Sequence, residues 1–143
     1  MPSLASVHLR ATEQCATCHL YREDFMDEQA PAISGHTFEP NFKGCVASGC
    51  HSTQFEIETR AAAFMASIDQ RVADIKTRLG DESTWQYSAT GGPSDQSTIS
   101  DNVKKIRFLI SYIESDGSSG IHNPDYVKSM LDKAEELLDD EGL

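Results

Sequence analysis

All four cysteines of this chain fall in two short stretches, each closing on a histidine. The first is Cys15-Ala16-Thr17-Cys18-His19, the second Cys45-Val46-Ala47-Ser48-Gly49-Cys50-His51. Two thiols two residues apart, followed at once by an imidazole, are the attachment signal for a c-type haem. The thiols add across the two porphyrin vinyl groups, and the next residue falls under the iron as proximal ligand. Cys15, Cys18 and His19 meet that description. Cys45, Cys50 and His51 carry two extra residues between the thiols, which can bulge outward near Gly49 without displacing Cys50 or His51. The pattern predicts two haem c groups, with His19 and His51 as the proximal ligands of their irons.

Three other chemistries use the same residue types. Four thiols, or two thiols with two histidines, can hold a structural zinc. Zinc, however, does not require histidine directly after the second cysteine at both places. Two disulfides suit an oxidising compartment. A redox dithiol is the third alternative, but the flanks lack the alternating strand and helix of a thioredoxin-like domain.

A six-coordinate iron needs a second axial ligand, and three histidines remain: His8, His36 and His122. His36 lies between the motifs and is assigned to the first haem. His122 is assigned to the second. His8 is the spare, an alternative to His36 or a ligand to a haem of a neighbouring subunit. Methionine is the rival distal ligand and would raise the reduction potential. Of the internal candidates, Met65 and Met130 fall on helical faces and are expected in the core, leaving Met26 as the competitor.

The elements that must position these groups divide at about residue 54, within one domain spanning 1–143. Residues 1–14 read as short and irregular. Residues 20–44 hold Pro31, Gly35, Pro40 and Gly44, a loop composition. So long a loop normally counts against an assignment, unless porphyrins rather than secondary structure supply the packing surface. Segment 1–54 is therefore expected to be loop-rich and packed on haem. After it, Ile57, Ala61, Phe64, Ile68, Val72, Ile75 and Leu79 recur at steps of three and four, predicting an amphipathic helix over 55–79 ended by Gly80. Residues 81–97 read as loop, pinned by Trp85 and Tyr87. Ile99, Val103, Ile106, Ile110 and Ile113 predict a helix over 98–115. Asn123-Pro124 opens a third, because asparagine caps well and proline suits the first turn. Its face is Val127, Met130, Leu131, Ala134, Leu137 and Leu138. The expected fold is mainly α, with an antiparallel three-helix bundle over 55–143. A first helix of roughly 35 Å leaving His51, and a second returning, would bring His122 back to the haem end.

The chain has 143 residues and a formal charge of −11, from 23 acidic against 12 basic side chains. That balance argues against nucleic acid, whose phosphates need a basic surface. It favours solubility and a basic redox partner. No run of about 18 apolar residues appears, so no membrane span is expected. Met1–Arg10 lacks a signal-peptide core. Because haem attachment takes place outside the cytoplasm, the chain is expected to be periplasmic or extracellular, as a mature form or part of something longer.

The stretch Val7–His19 resembles a haem segment of periplasmic multihaem cytochromes c, and Gly35-His36-Thr37-Phe38 resembles their distal-ligand segments. Asp116-Gly117-Ser118-Ser119-Gly120-Ile121-His122-Asn123-Pro124-Asp125-Tyr126 is similar to the segment before the terminal helix in relatives of the pentahaem nitrite reductase and octahaem cytochromes. The resemblance implies a ligand role for His122. It does not carry over reductase activity, because only two attachment motifs are present and the Cys-x-x-Cys-Lys motif is absent.

The expected function is electron transfer through two bis-histidine haems, with redox partner proteins and self-association through haem-bearing surfaces. The alternative is an enzyme with one open iron, acting on a small nitrogen or sulfur compound or a peroxide. A haem-based sensor ranks behind both.

Overall fold

The computed structural model describes residues 5–24, 35 and 38–143. His36 and Met26 therefore lie outside the described residues. The chain is mainly helical, and among the described residues there is no extended strand. Among the described residues six α-helices follow in order: α1 Cys15–His19, α2 Phe42–Ala47, α3 Gln54–Leu79, α4 Glu82–Trp85, α5 Asp101–Asp116 and α6 Pro124–Glu141. Three are long. Among the described residues, no helix is long and apolar enough to cross a membrane.

The contacts divide the chain into two compact units. One is Val7–Ala63. The other is Phe64–Leu143, to which Ser6 is joined by a hydrogen bond from its hydroxyl to the His122 carbonyl (2.6 Å). The division falls inside α3, just before Phe64 and Ile68, the first residues of that helix to join the apolar core.

Local chemistry accounts for the helix ends. Thr53 Oγ1 accepts from the Glu56 amide (3.2 Å) at the start of α3. Ser100 Oγ accepts from Val103 N (3.2 Å), so α5 begins at Asp101 rather than at 98. Asn123 Oδ1 accepts from Tyr126 N (3.3 Å), and Pro124 occupies the first turn of α6. Each side-chain oxygen satisfies an amide that the helix itself leaves unpaired.

The core of the Phe64–Leu143 unit draws on three helices. Ile68, Val72, Ile75 and Leu79 of α3 join Val103, Ile106, Leu109, Ile110 and Ile113 of α5. Val127, Met130, Leu131, Ala134, Leu137 and Leu138 of α6 complete the cluster with Trp85 and Ile99. From Phe64 onward these are the faces that the three-and-four spacing marks, with Leu109 added; Ile57 and Ala61 of the expected α3 face lie outside the cluster, and Met65, expected in the core, is only half-buried. Met130 is packed in this core, as expected of a residue on that face.

The 81–97 connection is more ordered than its polar composition suggests, with α4 and two short 3-10 turns, Ser88–Thr90 and Gln96–Thr98. Trp85 is buried, and its indole N–H donates to the Gly80 carbonyl (3.1 Å). Arg107, buried on α5, donates from Nη1 to the Trp85 carbonyl (2.8 Å) and to Gln96 Oε1 (2.7 Å). Its guanidinium lies 3.8 Å from the Tyr87 ring centre. Arg107 thus ties the connection to α5. Arg107→Met keeps the volume but leaves the Trp85 carbonyl buried without its donor, at an expected cost of about 1–3 kcal/mol in urea unfolding. An unchanged midpoint would contradict this role.

Asp81 and Asp95 cap the turns at either end of the same connection. Hydrogen bonds from the Ser83 side chain and amide hold the Asp81 carboxyl below its usual range, and those from Ser97 do the same for Asp95. A carboxyl whose folded-state pKa is depressed stabilises the fold above its unfolded pKa of about 3.9 and loses that contribution as pH falls below it. The melting temperature of the double variant Asp81→Asn, Asp95→Asn should therefore fall less between pH 7 and pH 3 than that of the parent. An equal fall in both proteins would refute the role.

Candidate functional site

The two cysteine motifs occupy two short helices of the Val7–Ala63 unit. Cys15, Cys18 and His19 are all on α1. Cys45 lies within α2, and the chain then turns through Ser48 and Gly49 to Cys50 and His51. Residues 42–44, expected as loop, are thus the first turn of α2. Asn41 caps it by accepting from Lys43 N (3.0 Å). Gly49 has φ +74°, and the His51 amide donates back to the Cys45 carbonyl (3.3 Å). The extra residues of the second motif are therefore taken up partly as helix and partly in a glycine turn, with His51 folded back on Cys45.

Helices α1 and α2 approach closely because residue 44 is glycine. A Cβ at Gly44 would stand 2.2 Å from the Thr17 carbonyl oxygen, far inside contact distance. The Asn41 amide donates to the Cys18 carbonyl (2.8 Å) and locks the same approach. Its result is that Cys18 and Cys45, one thiol from each motif, lie with their sulfurs 3.8 Å apart. Both are half-buried, whereas Cys15 and Cys50 are exposed. Burial, with the Cys18 sulfur alongside, pushes the Cys45 thiol up to about 11, so it carries its proton at neutral pH.

His19 Nδ1 lies 2.7 Å from the Phe38 carbonyl oxygen. A carbonyl only accepts, so Nδ1 carries the hydrogen and Nε2 is the lone-pair nitrogen of the neutral ring. Metal-binding histidines are commonly oriented in this way through their second nitrogen. Phe38 holds φ +56°. Gln14, directly before Cys15, and Ser119, shortly before His122, are the other described non-glycine residues at positive φ. Such conformations cost energy and gather at functional segments.

His122 belongs to the Phe64–Leu143 unit, in the turn between α5 and α6. Its Nδ1 lies 2.9 Å from Asp116 Oδ1, and its amide donates to Ser118 Oγ (3.3 Å). Ser118 also donates to the other Asp116 oxygen. Burial works to raise the Asp116 pKa, but the hydrogen bonds from His122 and Ser118 outweigh it and hold the carboxyl below its usual range. The ionised carboxylate fixes the His122 hydrogen on Nδ1, as the Phe38 carbonyl does for His19. His8 sits exposed in a 3-10 turn, Val7–Arg10, its carbonyl accepting from Ala11 N (3.0 Å).

Several described apolar side chains of the Val7–Ala63 unit are exposed. Gly44 and Ala61 are its only buried residues among those described. Phe55 is 79% and Phe38 66% exposed, and Val7, Leu9 and Leu20 are exposed as well. A unit of this size with no large buried side chain among its described residues commonly relies on a metal, a disulfide or another inserted group for stability. Exposed apolar residues, the thiols of both motifs and the oriented His19 imidazole, all within this unit, fit an inserted porphyrin. No group of three histidine, cysteine or acidic side chains gathers into a ready metal cluster among the described residues. Sequence reasoning did not reach the Phe38 carbonyl or Asp116 as histidine partners, although both lie in stretches singled out for other reasons.

Comparison with protein-family models, curated proteins and solved structures finds no match for this chain.

Proposed function

We propose that the chain is a dihaem c-type cytochrome that transfers electrons outside the cytoplasm. The observation that carries this reading is that both cysteine–histidine motifs stand in a unit with no large buried apolar side chain among its described residues. Cys15 and Cys18 would hold one haem and Cys45 and Cys50 the other, with His19 and His51 as proximal ligands. His122 and His36 are the proposed distal ligands, and His8 the alternative or intersubunit one. Bound there, the haems supply one-electron chemistry at iron.

The chain's own residues set the conditions for that chemistry. The Phe38 carbonyl and the Asp116 carboxylate orient the His19 and His122 rings and make them stronger donors. Strong imidazole donors and a formal charge of −11 both favour the ferric state, so low reduction potentials are expected. With two histidines assigned to each iron, no position would be left for a substrate, which would favour outer-sphere transfer to a partner protein over turnover. The shared core of α3, α5 and α6 supports an antiparallel three-helix bundle as the scaffold for His122. The resemblance to multihaem cytochromes points to a module of a longer electron-transfer chain.

Visible spectra of oxidised and dithionite-reduced protein, with pyridine haemochrome quantitation, test the proposal. Two haems per chain, low-spin in both states, are expected from a host able to mature such proteins. Colourless material with the mass of the bare polypeptide refutes it, and a high-spin ferric band moves the reading to the enzyme with an open iron.

A further inference from the structure

The contact between Cys18 and Cys45 is unexpected, because each thiol belongs to a different attachment motif. We propose that in the haem-free chain Cys18 and Cys45 form a disulfide site, closed by exchange with a small disulfide oxidant of the glutathione class. One bridge then removes a thiol from each motif.

The backbone builds this contact. Gly44 lets α2 sit against the Thr17 carbonyl, where a Cβ would come within 2.2 Å of the oxygen. The Asn41 amide holds the Cys18 carbonyl at 2.8 Å. The sulfurs stand 3.8 Å apart, and a covalent bond needs them at about 2.05 Å, a closure that side-chain rotation and a small shift can supply. Chain entropy alone favours the short loop within either motif over one closing 27 residues, so the folded contact, rather than loop length, is what selects this pair.

The step balances as thiol–disulfide exchange. The Cys18 thiolate attacks one sulfur of the oxidant, forming a mixed disulfide and expelling one small thiolate. Cys45 gives up its proton and attacks the Cys18 sulfur, expelling the second small thiolate. Two protein thiols are oxidised, one small disulfide is reduced to two thiols, and the two protons end on the expelled sulfurs.

The bridge itself is independent of the haem proposal. Its consequence rests on that proposal: with Cys18 and Cys45 joined, each motif keeps a single thiol and can form at most one thioether. Oxidation would take the second thioether from both haem sites at once, and reduction would restore it.

The test uses the full-length chain made without haem attachment and equilibrated in a glutathione redox buffer. Free thiols are alkylated, and the denatured protein is digested with trypsin without reduction. Cleavage after Arg10, Arg22, Lys43 and Arg60 puts Cys15 and Cys18 in peptide 11–22 and Cys45 and Cys50 in peptide 44–60. The expected product is the two peptides joined, with Cys15 and Cys50 alkylated. Separate peptides, each lighter by two hydrogens or fully alkylated, overturn the proposal. The joined product should persist in the double variant Cys15→Ala, Cys50→Ala and be lost in Gly44→Ala, whose added Cβ forces α1 and α2 apart. Equal yield in Gly44→Ala would show that the helix approach does not direct the bridge. The consequence has its own readout: haem held by two thioethers should be absent from the oxidised chain and should return on reduction. Doubly linked haem in both forms overturns the gate, and doubly linked haem in neither counts against the haem proposal while leaving the peptide result intact.

Discussion

Replacing Cys45 and Cys50 together with alanine is expected to leave one covalently bound haem in place of the two proposed for the parent chain. Each thioether needs its own thiol, and the two motifs share no cysteine. Both thiols must go, since one remaining thioether still holds a porphyrin covalently. Cys45 lies within α2, and Cys50 follows a glycine turn whose residue 49 meets no neighbour that would clash with a side chain. Neither cysteine contributes to the core of α3, α5 and α6, so the Phe64–Leu143 unit should fold as before. Intact mass should fall by one haem relative to the parent, and the haemochrome absorbance per chain should halve. The reciprocal variant, Cys15→Ala with Cys18→Ala, should give the same count. A double variant that keeps two haems would refute the assignment of the longer motif, whose four-residue spacing departs from the usual two.

The largest stability effect is expected at Leu131. Its side chain is fully buried in α6, in one cluster with the equally buried Ile106 and Leu138. Leu131→Ala removes buried methyl groups and leaves a cavity that helices anchored at both ends cannot fully collapse, at a cost of about 2–5 kcal/mol. For a domain whose whole stability is about 5–15 kcal/mol, that is a large fraction. Urea unfolding followed by far-ultraviolet circular dichroism measures it. Phe108→Ala is the control. Phe108 is 60% exposed on α5, and its loss should stay within about 0.5 kcal/mol. Equal effects at the two positions would mean that the cluster around Leu131 is not the core holding α6 in place.

The long helices were legible because their evidence is local. Ile68, Val72, Ile75 and Leu79 repeat at helical spacing, and the same residues line the core. Asn123-Pro124 marks the start of α6 to the residue. The start of α5 was misjudged because Ile99 fits the apolar spacing. Ser100 caps the helix, however, and residues 96–98 form a separate 3-10 turn. Helix α2 escaped notice because six residues are too few to show a period. Arg107 carries no local sign of burial. Its place is set by the Trp85 carbonyl, Gln96 and the Tyr87 ring, all supplied by a connection whose composition reads as loop.

The apolar faces of the long helices and the Asn123 cap follow from neighbours in the chain, and there the amino-acid order alone sufficed. The tertiary structure decided which groups from distant positions meet. It set Cys18 against Cys45, turned the Phe38 carbonyl toward His19 and left Phe38 and Phe55 exposed. Those outcomes depend on how closely two backbones approach. At Gly44 that approach rests on a missing Cβ, which no periodicity records.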